Sequence, residues 1–153
     1  MPLYFIQWAE LYIAWNKKEE AEECLSKAEN LLNIGKIWLF SKKSIKINDL
    51  DCISDYIDLA KIYVSVNNFR KAEKILKYTK DAIYKKRHND LFSKLDIYYS
   101  LGDLYAKKQR YKNAKHYFSK ALHLQKKINP NSNAVSDLNK WLIEIDGILE
   151  IYG

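Results

Sequence analysis

Little in this 153-residue sequence would break a helix. It has 4 glycines and 2 prolines, and all-β folds and Gly-rich phosphate-binding folds need more turn chemistry than that. Its two cysteines, Cys24 and Cys52, form no CxxC pair and are joined by no second cluster. That excludes a zinc site of the usual spacing, and both read as small hydrophobes buried among helical residues. No segment reaches the ~18 apolar residues of a membrane span. The segment Met1 to Trp8 lacks the basic region of a signal peptide, and Glu10 interrupts its apolar run. A reducing cytoplasm is therefore the expected compartment, with no membrane contact.

Catalytic signatures are missing as well. There is no HExxH, no GxSxG, no phosphate loop and no dinucleotide fingerprint. The only histidines are His88, His116 and His123, and the last two lie seven residues apart on a helical pattern. That is two turns, too far for an i, i+4 metal pair. Asp55 with Asp58, and Asp96 with Asp103, are helix-spaced carboxylates that read as surface charges or binding contacts, not as an acid/base pair. No catalytic residue, no metal and no cofactor is assigned, and the chain is not expected to be an enzyme.

What is present is a chain with 48% hydrophobic and 29% charged residues, which excludes disorder. The length suits one domain able to bury a core without disulfides. Two numbers stand out, 12 tyrosines and a net charge of +7. Self-similarity explains much of the first. Ala9, Tyr12, Ala21, Leu25 and Ala28 share their spacing with Ala60, Tyr63, Ala72, Leu76 and Thr79, and with Gly102, Tyr105, Ala114, Phe118 and Ala121. The offsets from the first residue are 3, 12, 16 and 19 in each set. A large apolar residue precedes each set (Trp8, Leu59, Leu101), and three residues earlier stand Phe5, Tyr56 and Tyr98.

Steps of 3 and 4 keep these residues on one helical face. A small residue at the first position lets a second helix approach, and the small residue twelve positions on is its counterpart. Polar breaks lie between the two: Asn16, Asn67-Asn68 and Lys108-Gln109. Each set is thus two antiparallel helices joined by a tight turn.

These units resemble tetratricopeptide repeats, whose signature is a bulky residue, Leu-Gly, Tyr, Ala, Phe and Ala at these offsets. The third unit, from Tyr98 through Leu101-Gly102 and Tyr105 to Ala114, Phe118 and Ala121, is the closest in type. The resemblance implies an all-α, right-handed superhelix of three such hairpins plus a C-terminal capping helix. The units fall at about 2–33, 53–86 and 95–128, the cap at 134–151, and the single domain at 2–151. The small residues recur after 51 and then 42 residues, against about 34 in the common repeat. A period near 42 implies helices longer by about a turn each. It is similar to the long repeats of kinesin light chains and bacterial peptide-sensing regulators. The longer first step leaves an insertion, Asn33 to Asp51. It is apolar enough to pack through Lys36-Ile37-Trp38-Leu39-Phe40 and Ser44-Ile45-Lys46-Ile47, and it ends on an Asn48-Asp49 cap signal.

Pro130 stops the third unit's second helix, and Asn131-Ser132-Asn133 supplies a fresh cap. Leu138, Trp141, Leu142, Ile145 and Leu149 then share one helical face without the small-Tyr signature, as a capping helix should. No such cap precedes Leu3, so a longer repeat array and self-association through the first helix both stay open.

In the resembled family the first helix of each pair lines a concave groove that holds ligand. Carried over by position, the first unit supplies Leu3, Ile6, Glu10 and Ile13. The second supplies Ser54, Ile57, Lys61 and Val64, and the third Asp96, Tyr99, Asp103 and Ala106. Some family members clamp a terminal carboxylate with Lys, Asn and Arg. Here Ile6, Glu10, Asp58, Asp96 and Ser100 stand in the equivalent places, so that clamp is missing. The expected function is a non-enzymatic scaffold whose groove binds a protein or peptide ligand of apolar or mildly basic character. The alternatives are a peptide-sensing regulatory module of a bacterial signalling system, which would need a DNA-binding region from another chain, and nucleic-acid association through a basic outer face. Residues 1–60 carry −3, residues 61–128 carry +13 and residues 129–153 carry −3. The basic excess thus lies on the second and third units, much of it on second helices. Lys outnumbers Arg there and no nucleic-acid motif accompanies it, so nucleic acid is the lesser reading.

Overall fold

The computed structural model describes residues 1–32, 53–85 and 90–153. The insertion from Asn33 to Asp51 lies outside the described residues, as do Cys52, Lys86, Arg87 and His88. Among the described residues there are seven helices and no strand. They are α1 (Pro2–Ala14), α2 (Lys18–Leu31), α3 (Ile53–Ser65), α4 (Phe69–Lys85), α5 (Leu91–Lys107), α6 (Tyr111–Ile128) and α7 (Asn133–Tyr152). No helix among them is long and apolar enough to cross a membrane.

Three hairpins, α1–α2, α3–α4 and α5–α6, close through the same turn. Asn16, Asn67 and Gln109 have φ of 57°, 61° and 57°. Each stands seven residues after the small residue of its unit. The Asn16 amide donates to the Ile13 carbonyl at 3.0 Å and the Lys17 amide to the Tyr12 carbonyl at 2.8 Å. Asn67 and Asn68 repeat this onto Val64 and Tyr63 at 3.1 and 2.8 Å, and Gln109 and Arg110 onto Ala106 and Tyr105 at 2.9 and 2.8 Å. This pair of bonds is the Schellman motif, which satisfies the last free carbonyls of the first helix while reversing the chain. Asparagine tolerates the left-handed region better than other side-chain-bearing residues, and glutamine does not share that advantage.

The repeated small residues are packed as their spacing requires. Ala9, Ala28, Ala60, Ala72, Ala114 and Ala121 are fully buried and Ala21 nearly so. Thr79, standing where the other units have alanine, is also fully buried, and its hydroxyl donates to the Ile75 carbonyl at 2.8 Å. A Cβ added at Gly102 would lie 2.5 Å from Cδ1 and Cε1 of the Phe118 ring. The α5–α6 approach therefore depends on the absence of a side chain at that position.

Contacts gather into two compact units, Met1–Ala82 and Ile83–Gly153, with the boundary inside α4. In the first, α1 packs on α2 and on α3. Leu25, Leu59, Ile75 and Leu76 are buried, and the Tyr56 hydroxyl donates to the Leu32 carbonyl at 2.7 Å. In the second, α5 packs on α6 and α6 on α7. Asp90 caps α5 by accepting from the Phe92 and Ser93 amides at 3.0 and 3.2 Å. The Tyr105 and Tyr117 rings stack at 5.6 Å between centroids. Ser132 stands at the N-cap position of α7 and its hydroxyl accepts from Gln125 at 2.9 Å. Leu138 and Ile145 of α7 are buried, and Lys115 of α6 pairs with Asp146 of α7 at 2.6 Å.

Two stability changes follow. Gln109→Gly relieves the left-handed strain and should raise stability by about 1 kcal/mol in urea unfolding, whereas Gln109→Val should lower it. Gly102→Val drives side-chain atoms into the Phe118 ring and should cost about 2 kcal/mol in the same measurement.

Candidate functional site

The positions carried over from the repeat separate by burial in a regular way. Six residues before the small residue stand Leu3, Ser54 and Asp96, and one residue after it stand Glu10, Lys61 and Asp103. All six are exposed. Three residues before it stand Ile6, Ile57 and Tyr99, and four after it Ile13, Val64 and Ala106. These are buried or half-buried, with Ile6, Ile57 and Val64 at 2% exposure. Helical geometry explains the division. At 3.6 residues per turn, the second group lies about 60° nearer the packed small residue than the first. The charged members thus face solvent and most of the apolar members support them from below.

Tyr99 is occupied within its own unit. Its ring meets Trp141 of α7 edge to face, with 6.0 Å between centroids, and Phe118 of α6 at 6.5 Å. Burial raises the Tyr99 phenol pKa, and the Asp137 carboxylate adds to the shift. Two of the exposed charges make local pairs, Lys61 with Asp58 at 3.5 Å and Asp103 with Lys107 at 3.4 Å. Exposed i, i+3 and i, i+4 pairs of this kind contribute a few tenths of a kcal/mol and yield readily to a ligand. Ser100 is buried and its hydroxyl has no hydrogen-bond partner, so neither it nor Ile6 presents a group to a carboxylate ligand.

Two clefts bear polar groups of interest, one in the first unit that reaches Ile13 and one in the second unit. The cleft of the first unit has a volume of about 620 Å³ and holds a half-buried polar centre. Lys71 donates to Glu29 at 2.7 Å, and the Tyr63 hydroxyl donates to the same Glu29 oxygen. The Lys71 ammonium also lies 4.9 Å from the Tyr63 ring centroid. Burial, and then the Glu29 hydrogen bond, push the Tyr63 phenol pKa well above its ordinary value, which keeps it a donor. The sequence pattern places Lys71 among outer-face charges. Its pairing with Glu29 spans 42 residues, and no local spacing signals it. The cleft of the second unit, about 740 Å³, gathers lysines and histidines of α5 and α6 beside Tyr84 and Tyr98. Spacing alone puts these lysines on one helix face but does not show the aromatic wall.

Among the described residues no three His, Cys, Asp or Glu side chains come close enough to hold a metal ion. Burial raises the Cys24 thiol pKa, which leaves less of the thiolate that a nucleophile needs.

Removing Glu29 strands the buried Tyr63 hydroxyl. Glu29→Ala should therefore cost about 2 kcal/mol, and adding Tyr63→Phe should recover part of that loss. Urea unfolding of the two single variants and the double variant checks this coupling.

Comparison with known families agrees with the geometry. The tetratricopeptide repeat family model matches residues 95–128, which take in most of α5 and all of α6. No curated protein and no solved structure matches the chain. The matched segment contains Tyr98, Leu101, Gly102, Tyr105, Ala114, Phe118 and Ala121, and the same offsets recur in the two hairpins before it. Residues 95–128 thus match a tetratricopeptide repeat, and the all-helical architecture and the recurring hairpin are consistent with a fold of that kind.

Proposed function

We propose that the chain is a protein-binding scaffold that meets its partner through the first helix of each hairpin. Tetratricopeptide repeats in general mediate protein–protein contact without catalysis. One observation supports the finer reading: the same two offsets are exposed in all three first helices while the offsets beside them are packed. Contact surface then comes from Leu3, Glu10 and the edge of Ile13 on α1, from Lys61 on α3, and from Asp96 and Asp103 on α5. Ile6, Ile57, Val64 and Tyr99 hold those positions from beneath.

Glu10 lies beside Leu3 on α1 of the first unit, and Asp96 and Asp103 share α5 of the second, so the acidic positions favour a mildly basic peptide and Leu3 an apolar residue in it. Like charge disfavours an acidic one. This corresponds to the groove-facing side in the resembled fold.

Panning a random peptide library on the immobilised full chain tests the reading. The enriched peptides should be rich in Lys and Arg, and Glu10→Lys combined with Asp103→Lys should weaken them about tenfold. Affinity for those peptides that is unchanged in the double variant would place the contact elsewhere.

A further inference from the structure

The second unit carries a cleft of about 740 Å³ whose lining differs from the surface just described. Lys112, Lys115 and Lys120 come from α6, with His116 and His123 beside them, and Lys94 comes from α5. Among the described residues no carboxylate lines it. Tyr84, half exposed at the end of α4, and Tyr98 of α5 form an aromatic wall in which the two hydroxyls hydrogen-bond. Leu91 and Leu124 add apolar surface.

The cations are held in place but mostly not neutralised. The Lys94 ammonium lies 5.3 Å from the Tyr84 ring centroid, and that of Lys120 lies 5.5 Å from the Tyr98 centroid. Ring faces attract an ammonium without cancelling its charge. Among the described residues, only Lys115 of the four lysines reaches a carboxylate, Asp146 at 2.6 Å. α6 itself contains no acidic residue. Its contributors recur at 112, 115–116, 119–120 and 123, which is one helix face. They span about 16 Å at 1.5 Å per residue. An extended peptide covers that length with about five residues.

We infer that this cleft is a second binding site, taking an acidic peptide segment of a partner protein. The ligand would be about five residues long, with carboxylates for the lysines and an apolar side chain for Leu91 and Leu124. The lining chemistry favours a peptide over nucleic acid. Among the described residues no arginine fork lines it for phosphates, and the faces of both wall tyrosines already carry ammonium groups, which leaves less aromatic surface for stacking bases.

The test uses the full chain and a fluorescein-labelled peptide, ELEELE, with QLQQLQ as control, followed by anisotropy at low and physiological salt. ELEELE should bind, weaken several-fold as salt rises, and outbind QLQQLQ. Lys112→Glu with Lys120→Glu, both exposed positions, should weaken it about tenfold while leaving helical content and melting temperature unchanged. Glu10→Lys with Asp103→Lys should not weaken it, which separates this site from the surface on the first helices. No binding at low salt, equal binding of QLQQLQ, or unaltered binding by the lysine variant overturns the proposal. Oligo-dT that binds more tightly than ELEELE and displaces it makes the cleft a nucleic-acid site instead. Displacement of the peptide by the chain's own self-association at rising concentration makes it an interface between copies.

Discussion

Everything in this fold hangs on reversing a helix within a few residues and bringing its successor back into contact. One residue per hairpin does the reversing: Asn16, Asn67 or Gln109, held in the left-handed region. The two amides that follow each first helix then bond back to its last free carbonyls. The reversal places the small residue of the first helix opposite that of the second. Close packing follows from the small residues themselves, most sharply at Gly102, where even a Cβ would enter the Phe118 ring.

That packing constrains what is left for binding. A helix in such a pair spends the arc around its small residue on its neighbours. Positions about 60° away are also drawn in, as with Ile57 and Val64. The next arc reaches solvent, and there this chain carries Glu10, Lys61, Asp96 and Asp103 beside Leu3 and Ser54. Charged residues thus stand among the exposed positions of all three first helices. The second unit adds a different surface on α6, where lysines stand over tyrosine rings.

The hairpins were readable because their signals are local. Ala60, Tyr63 and Ala72 lie within one hairpin, so the distances that matter are set by a helix and a turn. The polar breaks at Asn16 and Asn67 mark the residues that adopt the left-handed conformation. The extent of α7 was nearly as legible, because Pro130 and the polar residues after it end one helix and start the next. Less of the candidate site could be read. Spacing places Ile6 and Glu10 four residues apart on one side of a helix, yet one is buried and the other exposed. Tyr99 sits where the repeat would place a ligand contact, but its ring meets Trp141, which arrives 42 residues later.

Sequence by itself determined that this protein is helical, that three paired helices share one framework, and that its charge is concentrated in the middle of the chain. Those properties depend on side-chain type and on separations of up to about twenty residues. Tertiary structure alone decided which of the framework's neighbours face solvent, that Glu29 joins Tyr63 and Lys71, and that lysines of α6 gather at an aromatic wall. Burial and ion pairing are properties of surfaces from different helices meeting, and no pattern along a single helix contains them.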